Sequence, residues 1–160
     1  MTRWLVLALL VAVPAAAQDV PFDQTQVQAC LDSASPSTCV GDEAAACSAQ
    51  TGSNVGYGFC LRAELTFWDA ELNRVYGVLI DLTEAQDAEL KSYGSAAPAM
   101  TPALRAAQRA WIAWRDAQCD FIRTTFGGGT GGNPAATDCL MRLTAEQALR
   151  LDAELAGQGR

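Results

Sequence analysis

The sequence predicts an all-α fold: a small, disulfide-stapled helical domain with two long antiparallel helices, a glycine-rich loop and a C-terminal helix. Three observations predict it. Half of the residues are apolar, with alanine making up much of that share, while β-branched residues and strand-like alternation are scarce. Leu61, Leu65, Trp68, Leu72, Val75, Leu79 and Leu82 recur at steps of four and three, the spacing of one buried helix face. Six cysteines lie within the 143 residues that follow an N-terminal segment of signal type.

That segment comprises residues 1–17. Arg3, an apolar run from Trp4 to Val13 and the small triplet Ala15, Ala16 and Ala17 predict a secretory signal cleaved before Gln18. The apolar run is too short to span a bilayer, so no stable membrane anchor is expected after cleavage. An exported chain can keep disulfides, and closure between neighbours in sequence favours Cys30–Cys39, Cys47–Cys60 and Cys119–Cys139 among the fifteen possible pairings.

Residues 18–50 form a cysteine-bearing extension, predicted as two brief helices separated at Ser35, Pro36, Ser37 and Thr38. Residues 51–157 form the main helical domain. Ser53 or Asn54 is the expected N-cap of the first long helix. Thr83 and Gln86 have capping-box spacing and predict a pause there, with a shorter helix following to Tyr93. Thr101 as N-cap and Pro102 at the first helical position open the second long helix, expected to end near Thr125. The segment Gly127, Gly128, Gly129, Thr130, Gly131, Gly132 and Asn133 reads as a loop. A last helix, from about residue 135 to 155, is expected to turn Leu140, Leu143, Leu151 and Leu155 inward.

On the second long helix, Arg105, Arg109, Asp116, Asp120 and Arg123 fall within about 60° of arc, a charged face. Gln108, Trp111, Arg115 and Cys119 form a separate row at steps of three, four and four. Arg115 lies between Leu104, Trp111, Ile112 and Ile122, a setting that predicts burial and demands a counter-ion. Asp69 is the first-choice partner and Glu64 the second; Asp69, Asn73 and Tyr76 share one side of the first long helix. Trp114 points to a different side from Trp111, which predicts two separate packing contacts rather than one aromatic platform. Either the six residues Asp69, Asn73, Tyr76, Gln108, Trp111 and Arg115 brace the helices as a polar network, or some of them line a binding groove.

Composition narrows the chemistry. The net charge is −7, or −8 once Arg3 is removed, which disfavours nucleic acid and anionic lipid and favours a basic protein partner. There is no histidine and no Cys-x-x-Cys pair, so neither a Cys/His metal site nor the commonest general base is available. No cofactor is expected, because the glycines lack the strand and Lys-Ser/Thr context of a phosphate loop. Glu64, Asp69 and Glu71 are the carboxylates that glycan hydrolysis would require, but acidic residues on a helix usually form a solvated face. A non-catalytic binding protein is the expectation.

Cys60 followed by Asp69, Leu72-Asn73 and Tyr76, then "AQRAWIAWRDAQC" (residues 107–119), the glycine-rich loop and "CLMRLTAEQALRL" (residues 139–151) resemble the lysozyme inhibitor LprI-like N-terminal domain family over roughly residues 47–155. The resemblance implies a small, helical, exported and disulfide-bonded protein, and lysozyme as the basic partner. The alternative is an envelope protein-interaction module unrelated to lysozyme. Two departures stand out: Gln147 occupies a position where the resemblance leads one to expect arginine, and Cys30 and Cys39 are extra to the common core. Residues 127–133 are the candidate partner loop.

Overall fold

The computed structural model describes residues 21–158, and the expected signal segment lies outside the described residues. Five α-helices follow one another: α1 (Gln24–Leu31), α2 (Asp42–Ser48), α3 (Asn54–Ser92), α4 (Met100–Thr124) and α5 (Gly132–Gln158). A 3-10 turn at Pro36–Thr38 separates α1 from α2. No strand occurs among the described residues.

The long helices run up, down and up. Met100 meets Asp87 and Arg115 shares a pocket with Asp69, so residue numbers rise in α4 as they fall in α3. Arg115 meets Thr144 and Gln108 meets Gln147, the same antiparallel relation between α4 and α5. Pro134 lies beside Gly58 and Asp152 beside Arg74, so α5 runs parallel to α3.

The α3 stripe forms the core as expected: Leu61, Trp68, Leu72, Val75 and Leu79 are buried, and Leu65 is half-buried against them. The extension joins this core through Val27, Ala44 and Cys47. The inner face of α5 differs from expectation. Only Leu151 of the four predicted leucines is buried; Ala136, Met141, Thr144, Ala145, Gln147 and Ala148 face inward, while Leu140, Leu143 and Leu155 sit half-buried on the flanks. The helix packs against both α3 and α4. Small residues on the inner face let helix axes approach closely, which bulky leucines there would prevent.

The predicted pause at Thr83 and Gln86 does not occur, since α3 continues to Ser92. The Thr83 side chain, which would have capped a new helix, is engaged with the Ile80 carbonyl at 3.1 Å and the Thr101 hydroxyl at 3.0 Å. Thr101 is not the N-cap of α4 either. The helix starts at Met100, and its first free N–H groups are satisfied by another helix: Asp87 of α3 accepts from Met100 N at 2.7 Å and Thr101 N at 2.9 Å. These two bonds hold the Asp87 carboxyl below its ordinary value of 3.8. A depressed carboxyl stabilises the fold above its unfolded pKa, and that contribution disappears as the pH falls through the folded value. Asp87→Ala is therefore expected to lower the denaturant midpoint at neutral pH, with the gap from wild type closing below about pH 3. A gap independent of pH would show that the bonds to α4 are not its source.

All three predicted disulfides form, with Cα–Cα distances of 6.0, 5.8 and 5.5 Å for Cys30–Cys39, Cys47–Cys60 and Cys119–Cys139. Ser53 is the N-cap of α3, accepting from Gly56 N at 3.0 Å.

Candidate functional site

The row on α4 faces α5. Gln108 accepts a hydrogen bond from Gln147 Nε2 at 3.0 Å in a buried position, Arg115 Nη1 donates to Thr144 Oγ1 at 3.2 Å, and Cys119 is bonded to Cys139. Trp111 lies under the Arg115 guanidinium, 5.0 Å from its carbon to the ring centroid, a cation–π arrangement. Gln147, the departure from the expected arginine, thus forms a neutral amide pair with Gln108.

Arg115 does not pair with Asp69. Its Nε and Nη2 donate to the adjacent Asp116 at 2.9 and 2.8 Å, while Asp69 accepts from Asn73 at 3.2 Å. The side chain is 16% exposed and reaches water along the α4 surface, where a neighbouring carboxylate is closer than one on α3. Asp69 and Arg115 still line one pocket of about 250 Å³ with Leu65, Thr66 and Leu140. Tyr76 is half-buried against the core. The six predicted residues therefore divide into an α4–α5 set, a surface pair on α3 and a packing tyrosine. Arg115→Ala is expected to cost about 1–2 kcal/mol through lost hydrogen bonds and the Trp111 contact, with no buried carboxylate left behind. Denaturant melts beside Arg109→Ala measure this; equal shifts would place the Arg115 contacts among those worth nothing to stability.

Glu64, the second-choice partner, lies elsewhere and is fully buried. Its carboxyl oxygens accept from Gly41 N at 2.7 Å, Ala44 N at 2.8 Å and Trp68 Nε1 at 3.1 Å. A residue of α3 thus caps α2 from outside. Gly41 makes this possible: its φ is +94°, and a Cβ there would stand 2.7 Å from Arg142 Nη2. Sequence spacing held no signal for this contact, because Gly41 and Glu64 are 23 residues apart.

The glycine-rich segment is more compact than a long loop. Turn bonds link Gly129 N to Phe126 O and Gly132 N to Gly129 O, and α5 already begins at Gly132, so Gly132 and Asn133 belong to its first turn. Gly127 and Gly128 take positive φ values of 55° and 83°. Gly131 lies against the Phe126 ring, where a Cβ would approach to 3.1 Å. At its base are the Cys119–Cys139 bridge and a hydrogen bond of 3.3 Å from Asn54 Nδ2 to Thr130 Oγ1. Gly127, Gly128, Gly129 and Thr130 remain exposed.

Beside this turn lies a groove of about 250 Å³ whose walls include Val55, Phe59, Arg62, Thr130, Asn133 and Pro134. Val55 is 67% exposed and Phe59 47%. Sequence reading passed over both, yet a signal existed: Val55 and Phe59 lie four apart, outside the Leu61–Leu82 stripe, and so have no place in the core.

A family model described as lysozyme inhibitor LprI matches residues 44–151. The chain is 32% identical to a Rhizobium meliloti protein named "Uncharacterized protein R02472" over 99 residues, covering 62% of this chain and 71% of that one. It is 29% identical to a Rhodobacter capsulatus protein named "Uncharacterized 17.7 kDa protein in puhA 5'region", covering 98% of this chain and 99% of the relative. No solved structure matches. With the family match extending from α2 through most of α5 and including two of the three disulfides, the chain belongs to the lysozyme inhibitor LprI family.

Proposed function

We propose that this is an exported, non-catalytic binding protein that engages lysozyme through the end of the bundle carrying the glycine turn. Family membership over residues 44–151 carries the reading. Three disulfides suit an oxidising compartment, and no helix among the described residues is long and apolar enough to cross a membrane. The net charge of −7 steers the protein toward a basic partner, although steering speeds encounter without making it specific.

Specificity is assigned to the turn and its groove. The turn is free of bulky side chains, is anchored at both ends, and stands beside two exposed apolar residues and Arg62. Anchoring lowers the ordering cost of binding relative to a free glycine loop. The carboxylates that glycan hydrolysis would need are otherwise engaged: Glu64 is buried with its oxygens bonded, Asp69 accepts from Asn73, and Glu71 pairs with Arg74.

The test measures lysozyme-driven lysis of cell walls at low and moderate salt, with the wild type, a variant lacking residues 128–130, and Phe59→Ser. Inhibition that persists at moderate salt and falls in both variants supports the proposal. Attraction seen only at low salt, or inhibition indifferent to both changes, would reduce it to charge pairing and favour an envelope module with another partner.

A further inference from the structure

Exposed apolar side chains gather on α4 and beside the glycine turn. On α4, Trp114 is 52% exposed and Phe121 59%, so Trp114 stands at the surface instead of making the packing contact expected of it. That face carries nothing that names a neighbour. The groove beside the turn does, because a cation stands in its wall. Val55, Phe59 and Arg62 follow one another on α3 at steps of four and three and all line the groove, within about 60° of arc.

Arg62 is exposed, and among the described residues its guanidinium makes no ion pair. Arg74, Arg105, Arg115, Arg123 and Arg142, by contrast, each hold a carboxylate. No Asp or Glu is among the residues that line the groove, although the net charge of the chain is −7. The turn side adds a donor. Thr130 Oγ1 accepts from Asn54 Nδ2 at 3.3 Å, which leaves its own hydrogen to give. A protein acidic elsewhere thus presents here a patch that is cationic, rich in donors and bordered by apolar side chains.

We infer, on the lysozyme reading above, that this groove takes an Asp or Glu side chain of lysozyme, with Arg62 as its counter-ion. Net charge explains attraction to a basic enzyme but selects no point on it. An unpaired guanidinium does, since its planar fork donates to both oxygens of one carboxylate. Val55 and Phe59 would exclude water around the pair, and a drier setting strengthens a charge-assisted bond. At about 250 Å³ the groove is smaller than the roughly 300–1,000 Å³ of small-molecule sites, and it suits a side chain projecting from a protein surface.

Calorimetric titration of lysozyme at low and moderate salt, with the wild type, Arg62→Glu and Arg109→Glu, tests this. Arg109 also forms no ion pair among the described residues, but it lies on α4 and does not line the groove. Attraction by net charge alone predicts that both changes tighten binding, because each makes the protein more acidic. Pairing in the groove predicts that Arg62→Glu raises the Kd roughly tenfold or more, while Arg109→Glu does not raise it. Lysozyme with its carboxylates amidated repeats the test from the other side. It is more basic, yet it is expected to bind the wild type roughly tenfold more weakly and to bind Arg62→Glu no worse than unmodified lysozyme does. Thermal melts verify that the variants and the amidated enzyme remain folded. A wild type that binds no lysozyme at either salt overturns the lysozyme reading and this inference with it. A wild type whose binding survives Arg62→Glu, or survives amidation of the enzyme, overturns the inference alone.

Discussion

Glu64→Ala is expected to destabilise the protein by about 4 kcal/mol, because three buried N–H donors lose their acceptor at about 1–3 kcal/mol each. Those donors are Gly41 N, Ala44 N and Trp68 Nε1. The carboxyl also sits at the N-terminus of α2, where the free amide groups and the helix dipole favour an acceptor. Glu64→Gln does not restore the arrangement, since one amide oxygen replaces two acceptors and the new NH2 faces a backbone N–H; a loss of about 2 kcal/mol is expected. Urea unfolding of both variants, beside the exposed Glu146→Ala, reads the effect. A Glu64→Ala midpoint close to that of the Glu146 control would mean that the α2 cap contributes nothing and that the extension docks by Val27, Ala44 and Cys47 alone.

Removing the Cys119–Cys139 bridge by a double alanine substitution is expected to cost about 3 kcal/mol, the chain-entropy value for a loop of 20 residues. The consequence should concentrate in one helix. Across its 25 residues α4 buries only Thr101, Gln108 and Cys119. With the bridge gone, its C-terminal half is held by the Arg115–Thr144 bond and by half-buried apolar contacts. Hydrogen exchange should therefore rise far more in α4 than in α3, whose buried residues include Trp68, Leu72, Val75 and Leu79. Uniform loss of protection across α3, α4 and α5 would show that α4 is not a separately opening unit.

The α3 stripe, the Ser53 cap and the three disulfide pairs were legible in the sequence because each depends on spacing along one helix or on closure between neighbouring segments. Helix periodicity and turn chemistry are local properties, and residues such as Leu61, Trp68 and Gly127 carry them wherever the chain folds. The partners of polar side chains were not legible in the same way. Arg115 meets Thr144 and the adjacent Asp116 rather than Asp69, with which it only shares a pocket, and Glu64 is taken up by the backbone N–H groups that start α2. Asp87 supplies the α4 cap that Thr101 would have supplied locally, since a carboxyl on an adjacent helix offers two acceptors where a hydroxyl offers one. Thr83 was diverted from starting a helix for the same reason: a cross-helix hydroxyl was within reach. What the sequence by itself determined is which segments are helical and which cysteines pair. Only the tertiary structure decided which polar groups satisfy one another and which apolar face of α4 was left without a neighbour, because those outcomes depend on how three helix axes approach and not on the order of residues along any one of them.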